Sequence, residues 1–221
     1  MIKLEKITKE YKGSGYETHV LNELNLEIAD GDFVGIIGKS GCGKSTLLNI
    51  IGCLDKADSG NYILDDKEIQ SMSSGAFDRY RREKISFVFQ NYELLDKYTV
   101  KENIELPLNV KNMKKKEKNQ KINEIAEYLG IEKLLNKYPN QISGGEKQRV
   151  AIARAYVMDT PYILADEPTG ALDDENSDMI IKLLGKINKK GKTVIVVSHD
   201  IDIVKQCNYI MQMQDGKIYR K

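Results

Sequence analysis

The stretch GKSGCGKST, Gly38 to Thr46, sets a glycine, four residues, and then Gly-Lys-Ser. Gly38 and Gly43 let the chain bend with its N–H groups turned inward, forming a nest that suits phosphate oxygens. Lys44 supplies a compact cation for β and γ phosphates, and Ser45 offers a hydroxyl to Mg²⁺. The other loop residues, Lys39, Ser40, Gly41, Cys42 and Thr46, belong to the same phosphate-binding set, Lys39 and Ser40 mainly through backbone amides. Cys42, a thiol inside an amide-rich loop that starts a helix, is expected to be reactive.

A second stretch, YILADEP at 162–168, ends an apolar run on two acids. At the carboxyl end of a parallel strand they would stand where ligands bind. Asp166 is suited to hold Mg²⁺ through water, and Glu167 to polarise an attacking water as general base. The third stretch, QISGGEKQRVAIARA, places Ser143, Gly144 and Gly145 directly before a helical run, a helix N-terminus primed for an anion. No second lysine accompanies it, so it reads as half of a site whose phosphate comes from another chain.

These groups need a scaffold. FVGII, a short apolar run after the Asp30-Gly31 turn, reads as a buried strand feeding the glycine-rich loop. STLLNIIGCL then reads as a helix with Leu47, Leu48, Ile51 and Leu54 on one face. MIKLEKI and LNLEI alternate as strands, and NYILDDKEI reads as a hairpin. From about Asn91 to Asn140 charges and helix formers dominate, with Ile122, Ile125, Ala126 and Leu129 at helical spacing and KKKEKNQK read as a solvated face. After Ser143 helix and strand alternate through YILAD, MIIKLLGKI, VIVVS and YIMQMQDGKIY, a pattern that implies a parallel sheet with right-handed crossovers.

The 221 residues suit one domain with room for an inserted subdomain. Their 34 basic and 33 acidic side chains nearly cancel, which gives no field for nucleic acid. The apolar runs fall far short of the roughly 20 residues that span a bilayer. Three cysteines without CxxC spacing argue against a disulfide framework or structural zinc and favour a cytosolic setting.

With these motifs in place, the chain resembles the nucleotide-binding subunit of an ATP-binding cassette (ABC) transporter over its whole length. The resemblance implies an α/β phosphate-loop NTPase fold: a parallel core sheet, an antiparallel β-subdomain and an inserted α-helical subdomain. One nucleotide-binding domain would span 1–221, with core and β-subdomain at 1–90 and 144–221 and the helical part at 91–143. ISGGEKQR resembles the family signature LSGGQ, with Glu146 where the family has Gln. It implies that Ser143, Gly144, Gly145 and Glu146 meet ATP held by the opposite subunit of a homodimer, with two ATP molecules at the interface. By the same resemblance Gln90 would sense Mg²⁺ and nucleotide, and His199 would stand near the γ-phosphate with Glu167 and Lys44 as the catalytic set. Asp173 would lie in a loop crossing the interface, and Tyr11 would stack on adenine, with Tyr16 as the rival. Asp166, Ser45 and Gln90 would be the Mg²⁺ residues.

The combination of KGSGYETHVLNELNLEI, NIIGCLDKADSG, ENIELPL and ILADEPTGALD is similar to ATPases of the MacB, LolD and FtsE type, including those of bacitracin and lantibiotic resistance. That implies an ATPase held at the cytoplasmic face of the plasma membrane by a separate transmembrane permease. Its work would be export or removal of a peptide, antibiotic or lipid-linked substrate, or, as in FtsE, regulation of a membrane protein without transport. DNA-repair cassettes carry a long insertion between the positions of Gln90 and Ser143, which stand only 53 apart here. No Asn-Lys-x-Asp motif for guanine is present.

Overall fold

The structure, a computed structural model, describes residues 1–13, 16–111 and 113–221, with the side chains of 13, 16 and 17 outside the description. Tyr16, the rival aromatic, therefore has its side chain outside the described residues, as do Ser14 and Gly15 of the KGSGY segment.

The central sheet runs β10 (Lys217–Arg220), β9 (Tyr209–Gln214), β3 (Phe33–Ile37), β8 (Thr193–Ser198), β7 (Tyr162–Asp166), β6 (Ile85–Val88), parallel from β9 to β6, with β10 closing one edge antiparallel. Its middle strands, β3 (Phe33–Ile37), β8 (Thr193–Ser198) and β7 (Tyr162–Asp166), are apolar almost throughout. A strand covered on both faces has no polar side to show. Successive side chains point to opposite faces, and the two cores divide accordingly. Phe33, Ile163, Val194 and Val196 enter one core with the helices, while Val34, Leu164, Ile195 and Val197 enter the other beneath the antiparallel sheet.

That second sheet, β2-β1-β4-β5, is antiparallel and built on the long strands β1 (Ile2–Gly13) and β2 (Tyr16–Ile28). β4 (Ser59–Leu64) and β5 (Lys67–Glu68) form the hairpin read from NYILDDKEI, turned by Asp65 and Asp66, both left-handed. Between the sheets lies α1 (Lys44–Ile51), with Leu47, Leu48, Ile50 and Ile51 buried. Leu54 departs from its expected place: the helix ends at Gly52, Cys53 turns left-handed at φ 53°, and Leu54 emerges to solvent.

α2 (Ser74–Lys84), a helix without an apolar period in its sequence, precedes the edge strand β6 (Ile85–Val88) and buries only Tyr80. Then come α3 (Val100–Glu105), α4 (Lys115–Leu129) and α5 (Gly144–Tyr156). Ile122, Ala126 and Leu129 of α4 face the core, with Ile125 packed beside them, as their spacing predicts. The segment before α3 is pinned by buried Asn103, whose amide N–H₂ donates to the carbonyls of Leu95, Tyr98 and Thr99 while its oxygen accepts from Leu95 N–H. α6 (Asp174–Asn188) and the short α7 (Ile201–Val204) complete the chain before β9 (Tyr209–Gln214) and β10 (Lys217–Arg220).

Candidate active site

Strands β3, β8 and β7 are adjacent and parallel, so their carboxyl ends open on one edge. The phosphate-type loop leaves β3, the acid pair ends β7, and His199 follows β8. The topology thus gathers three distant sequence segments at the position where open α/β sheets bind ligands. β6 beside them delivers Gln90. A cavity of about 540 Å³ lies here, lined by Tyr11, Val20, Ser40, Gly41, Gly43, Lys44, Ser45, Thr46, Gln90, Glu167 and His199. A larger one, about 880 Å³ along α6, shares no residue with it and lacks the converging loop, acid and histidine.

Gly41 and Gly43 are left-handed at φ 78° and 102°, conformations that suit glycine. Gly43 caps α1 without a side-chain hydrogen bond, and the first turn carries no acid. The opening N–H groups of a helix have no intrahelical partner, so those of Lys44, Ser45 and Thr46 are available to an anion with the helix dipole behind them. At Gly38 any Cβ would stand 2.6 Å from Cys42 Sγ and 2.7 Å from the Met213 carbonyl, so a side chain there would force the loop apart. Lys44, largely buried, donates from Nζ to the Gly38 and Lys39 carbonyls at 2.8 and 3.0 Å. That leaves its third N–H for a ligand.

Ser45 Oγ donates to Asp166 Oδ1 at 3.3 Å. Burial pushes the Asp166 carboxyl above its usual range; the Ser45 hydrogen bond and Lys44 oppose this, and the Glu167 charge adds to it. An acid whose ionised form is penalised beside a hydroxyl is a fitting pair of hard oxygen donors for Mg²⁺, which takes few protein ligands and completes its shell with phosphate and water.

Glu167 adopts φ 46°, unusual for a residue with a side chain, and its N–H donates to the Val197 carbonyl at 2.9 Å. Its Oε2 faces His199, 2.9 Å from Nδ1 and 3.3 Å from the backbone N–H. Such an outlier at a site is a form of stored strain, and here it aims the carboxylate into the cavity beside the histidine. Gln90 is given room by Gly170, where a Cβ would come within 2.8 Å of Gln90 Nε2.

Ser143, Gly144, Gly145, Glu146 and Asp173 do not line this cavity. Ser143 caps α5: its Oγ accepts from Glu146 N–H at 3.3 Å, and Glu146 Oε2 accepts from Ser143 N–H at 2.8 Å. That backbone hydrogen bond holds the Glu146 carboxyl below its usual range. Asp173 caps α6, accepting from Asn176 N–H at 2.8 Å. A Cβ on Gly145 would lie 2.4 Å from Asn176 Oδ1, so the amide of Asn176 packs directly on the Ser-Gly-Gly turn. Three residues escaped the sequence reading: Val20, which lines the cavity, and Lys9 and Asp55, which hold Tyr11. Asp55 lies far in sequence from both Lys9 and Tyr11 and follows no motif, and Val20 falls outside the alternating runs MIKLEKI and LNLEI.

Comparison with known proteins agrees with this geometry. A family model described as ABC transporter matches residues 21–170. The ABC transporter ATP-binding protein YvrO of Bacillus subtilis is 44% identical over 99% of this chain and 95% of its own. The macrolide export ATP-binding/permease protein MacB of Campylobacter fetus is 43% identical over 99% of this chain but only 34% of its own. Among solved structures, a dimeric post-hydrolysis state of the ATP-binding cassette MJ0796, bound to ADP and Pi, aligns with a TM-score of 0.92 at 42% identity. It covers 100% of this chain and 98% of that one.

Proposed function

The chain belongs to the ABC transporter family as its ATP-hydrolysing cassette, and from that premise we propose that two copies close head to tail around two ATP molecules to drive a MacB-type membrane permease. One observation carries the proposal. The Ser143-Gly144-Gly145 helix start lies outside its own chain's phosphate cavity, which already holds a complete set of phosphate-binding groups. The N–H groups that open α5 suit a phosphate presented by another copy. The dimeric state of the similar cassette supports the pairing of two copies.

In this reading the Gly41–Thr46 amides and Lys44 bind the β and γ phosphates, and Tyr11 stacks on the base. Ser45 and Asp166, with Gln90 nearby, would hold Mg²⁺, which would draw charge from the phosphate oxygens. Glu167 takes a proton from the attacking water, and His199, hydrogen-bonded to Glu167, orients it and stands by the γ-phosphate. Asp173 lies where the two copies cross. Hydrolysis removes the bridging γ-phosphate, and the dimer reopens. The helical part, 91–143, passes that movement to a permease that keeps the cassette at the cytoplasmic membrane face. The cargo class is a peptide, antibiotic or lipid-linked molecule. MacB relatives, named as macrolide exporters with ATP-binding and permease parts in one chain, support the choice of permease. Among the described residues no helix is long and apolar enough to cross a membrane.

Replacing Glu167 by Gln tests the closure. The expected variant binds Mg-ATP, elutes as a dimer, and turns over slower by on the order of 10²-fold or more. A variant that stays monomeric at saturating Mg-ATP refutes the head-to-tail closure.

A further inference from the structure

Tyr11 stands on β1 at the rim of the cavity, 42% exposed. A half-exposed aromatic side chain on a strand ordinarily samples several rotamers, and any base that stacks on it must then order it. Here the ring is already held. Its O–H donates to Asp55 Oδ2 at 3.0 Å, while Asp55 Oδ1 accepts from Lys9 Nζ at 3.0 Å. Lys9 Nζ also donates to the Lys56 carbonyl at 2.7 Å and lies over the Tyr11 ring, 5.3 Å from its centroid. Three side chains therefore close a loop: phenol to carboxylate, carboxylate to ammonium, ammonium to ring face.

The loop ties the two parts of the site together. Asp55 follows the end of α1, where its N–H and that of Leu54 both donate to the Asn49 carbonyl. The ring is thus anchored to the far end of the helix whose near end carries the phosphate-binding amides. Burial alone would lower the Lys9 ammonium, but the Asp55 hydrogen bond and charge hold it above its usual range. Burial likewise favours a neutral Asp55, yet Lys9, the Lys56 N–H and the Tyr11 hydroxyl hold its carboxyl below the usual range. Both groups are charged at neutral pH.

We propose that Lys9 and Asp55 are positioning residues that fix the Tyr11 ring as a preformed platform for the nucleotide base. The inference rests on the reading of Tyr11 as the base-stacking residue. Lys9 occupies one face of the ring, which leaves the other to the base. A cation on the first face draws π-density toward itself and makes the free face a better partner for an electron-rich purine.

The test compares ATP with inorganic triphosphate, which has no base, in calorimetric titrations of the whole chain with Mg²⁺. Tyr11→Ala should weaken ATP about tenfold, one stacked base's worth, and leave triphosphate unchanged. Tyr11→Phe, which keeps the ring and removes only the bond to Asp55, should weaken ATP roughly threefold to tenfold and spare triphosphate. Asp55→Ala should do the same, and adding Tyr11→Phe to it should cost nothing more. If Tyr11→Ala weakens ATP while Tyr11→Phe and Asp55→Ala do not, the platform stands and the positioning inference falls. If Tyr11→Ala changes nothing, the base-stacking reading itself falls. Equal loss of ATP and triphosphate in Asp55→Ala would assign Asp55 to the phosphate loop and overturn the inference; should that variant not fold, Tyr11→Phe decides alone.

Discussion

Asp166 carries a charge in surroundings that resist it. Its carboxyl, raised above the usual range by burial, pairs with Ser45 at 3.3 Å and stands beside Glu167. An acid with a raised folded-state pKa destabilises the fold when ionised. That cost is fully present above the raised value and is relieved as pH falls through it toward the ordinary aspartate range. Asp166→Asn should therefore melt higher than the parent at neutral pH without Mg²⁺, by about 2–4 °C for each kcal/mol relieved. The advantage should shrink on acidification, and the variant should lose the Mg²⁺-dependent part of its stabilisation by ATP. Calorimetric scans at pH 7 and pH 5, with EDTA or with Mg-ATP, would show it; a lower melting point in EDTA at pH 7 would contradict the argument. At this scale the sequence was legible where spacing carries the chemistry. GKSGCGKST and YILADEP each point to their own strand end. It was silent on the left-handed turn at Glu167, and on Asp55 as the partner of Tyr11, because both depend on where distant strands and turns meet.

The elements were legible to the degree that they bury a periodic face. β3, β7 and β8 read as apolar runs because each feeds two cores, and α4 was read from its helical spacing. α2 escaped because SGAFDRYRREK buries only Tyr80 and leaves no apolar period. The helix after the phosphate loop was read one turn too far, since nothing in IIGCL marks Cys53 as left-handed. Gly52, its end, is set by packing. A Cβ there would stand 1.9 Å from Phe87 Cζ, and Phe87 is in turn stacked on Phe89 at 5.4 Å between centroids. Gly52→Ala should cost about 1–3 kcal/mol by overpacking and lower the melting temperature accordingly. A smaller residue at Phe87 should restore part of it, so Gly52→Ala with Phe87→Leu should be less destabilised than the two single effects added. Simple additivity in thermal denaturation would mean that the clash is relieved elsewhere.

At the scale of the whole molecule the near balance of charge and the distance between two half-sites say most. With 34 basic and 33 acidic side chains, no long-range field drives assembly, so closure must come from short-range contacts organised by ATP. Each proposed site takes Lys44 from one copy and Ser143 from the other, and this divides labour in a testable way. Lys44→Ala and Ser143→Arg should each abolish turnover alone. Mixed at equal concentration, they should regain activity, because a hybrid pair joins an intact phosphate loop from one chain to an intact Ser-Gly-Gly from the other. With random pairing about half the dimers are hybrids with one sound site of two, so the recovered rate should approach about a quarter of the parent's if sites act independently. Strong coupling between sites would lower that figure while leaving one occluded nucleotide per hybrid. An absence of both turnover and occlusion in the mixture, with each variant folded, would mean that the Ser-Gly-Gly turn does not serve a facing copy. The half-site was readable from sequence as an anion site lacking its lysine. How α5 docks, with the Asn176 amide packed on the Ser-Gly-Gly turn, was not, since it depends on contacts between distant segments.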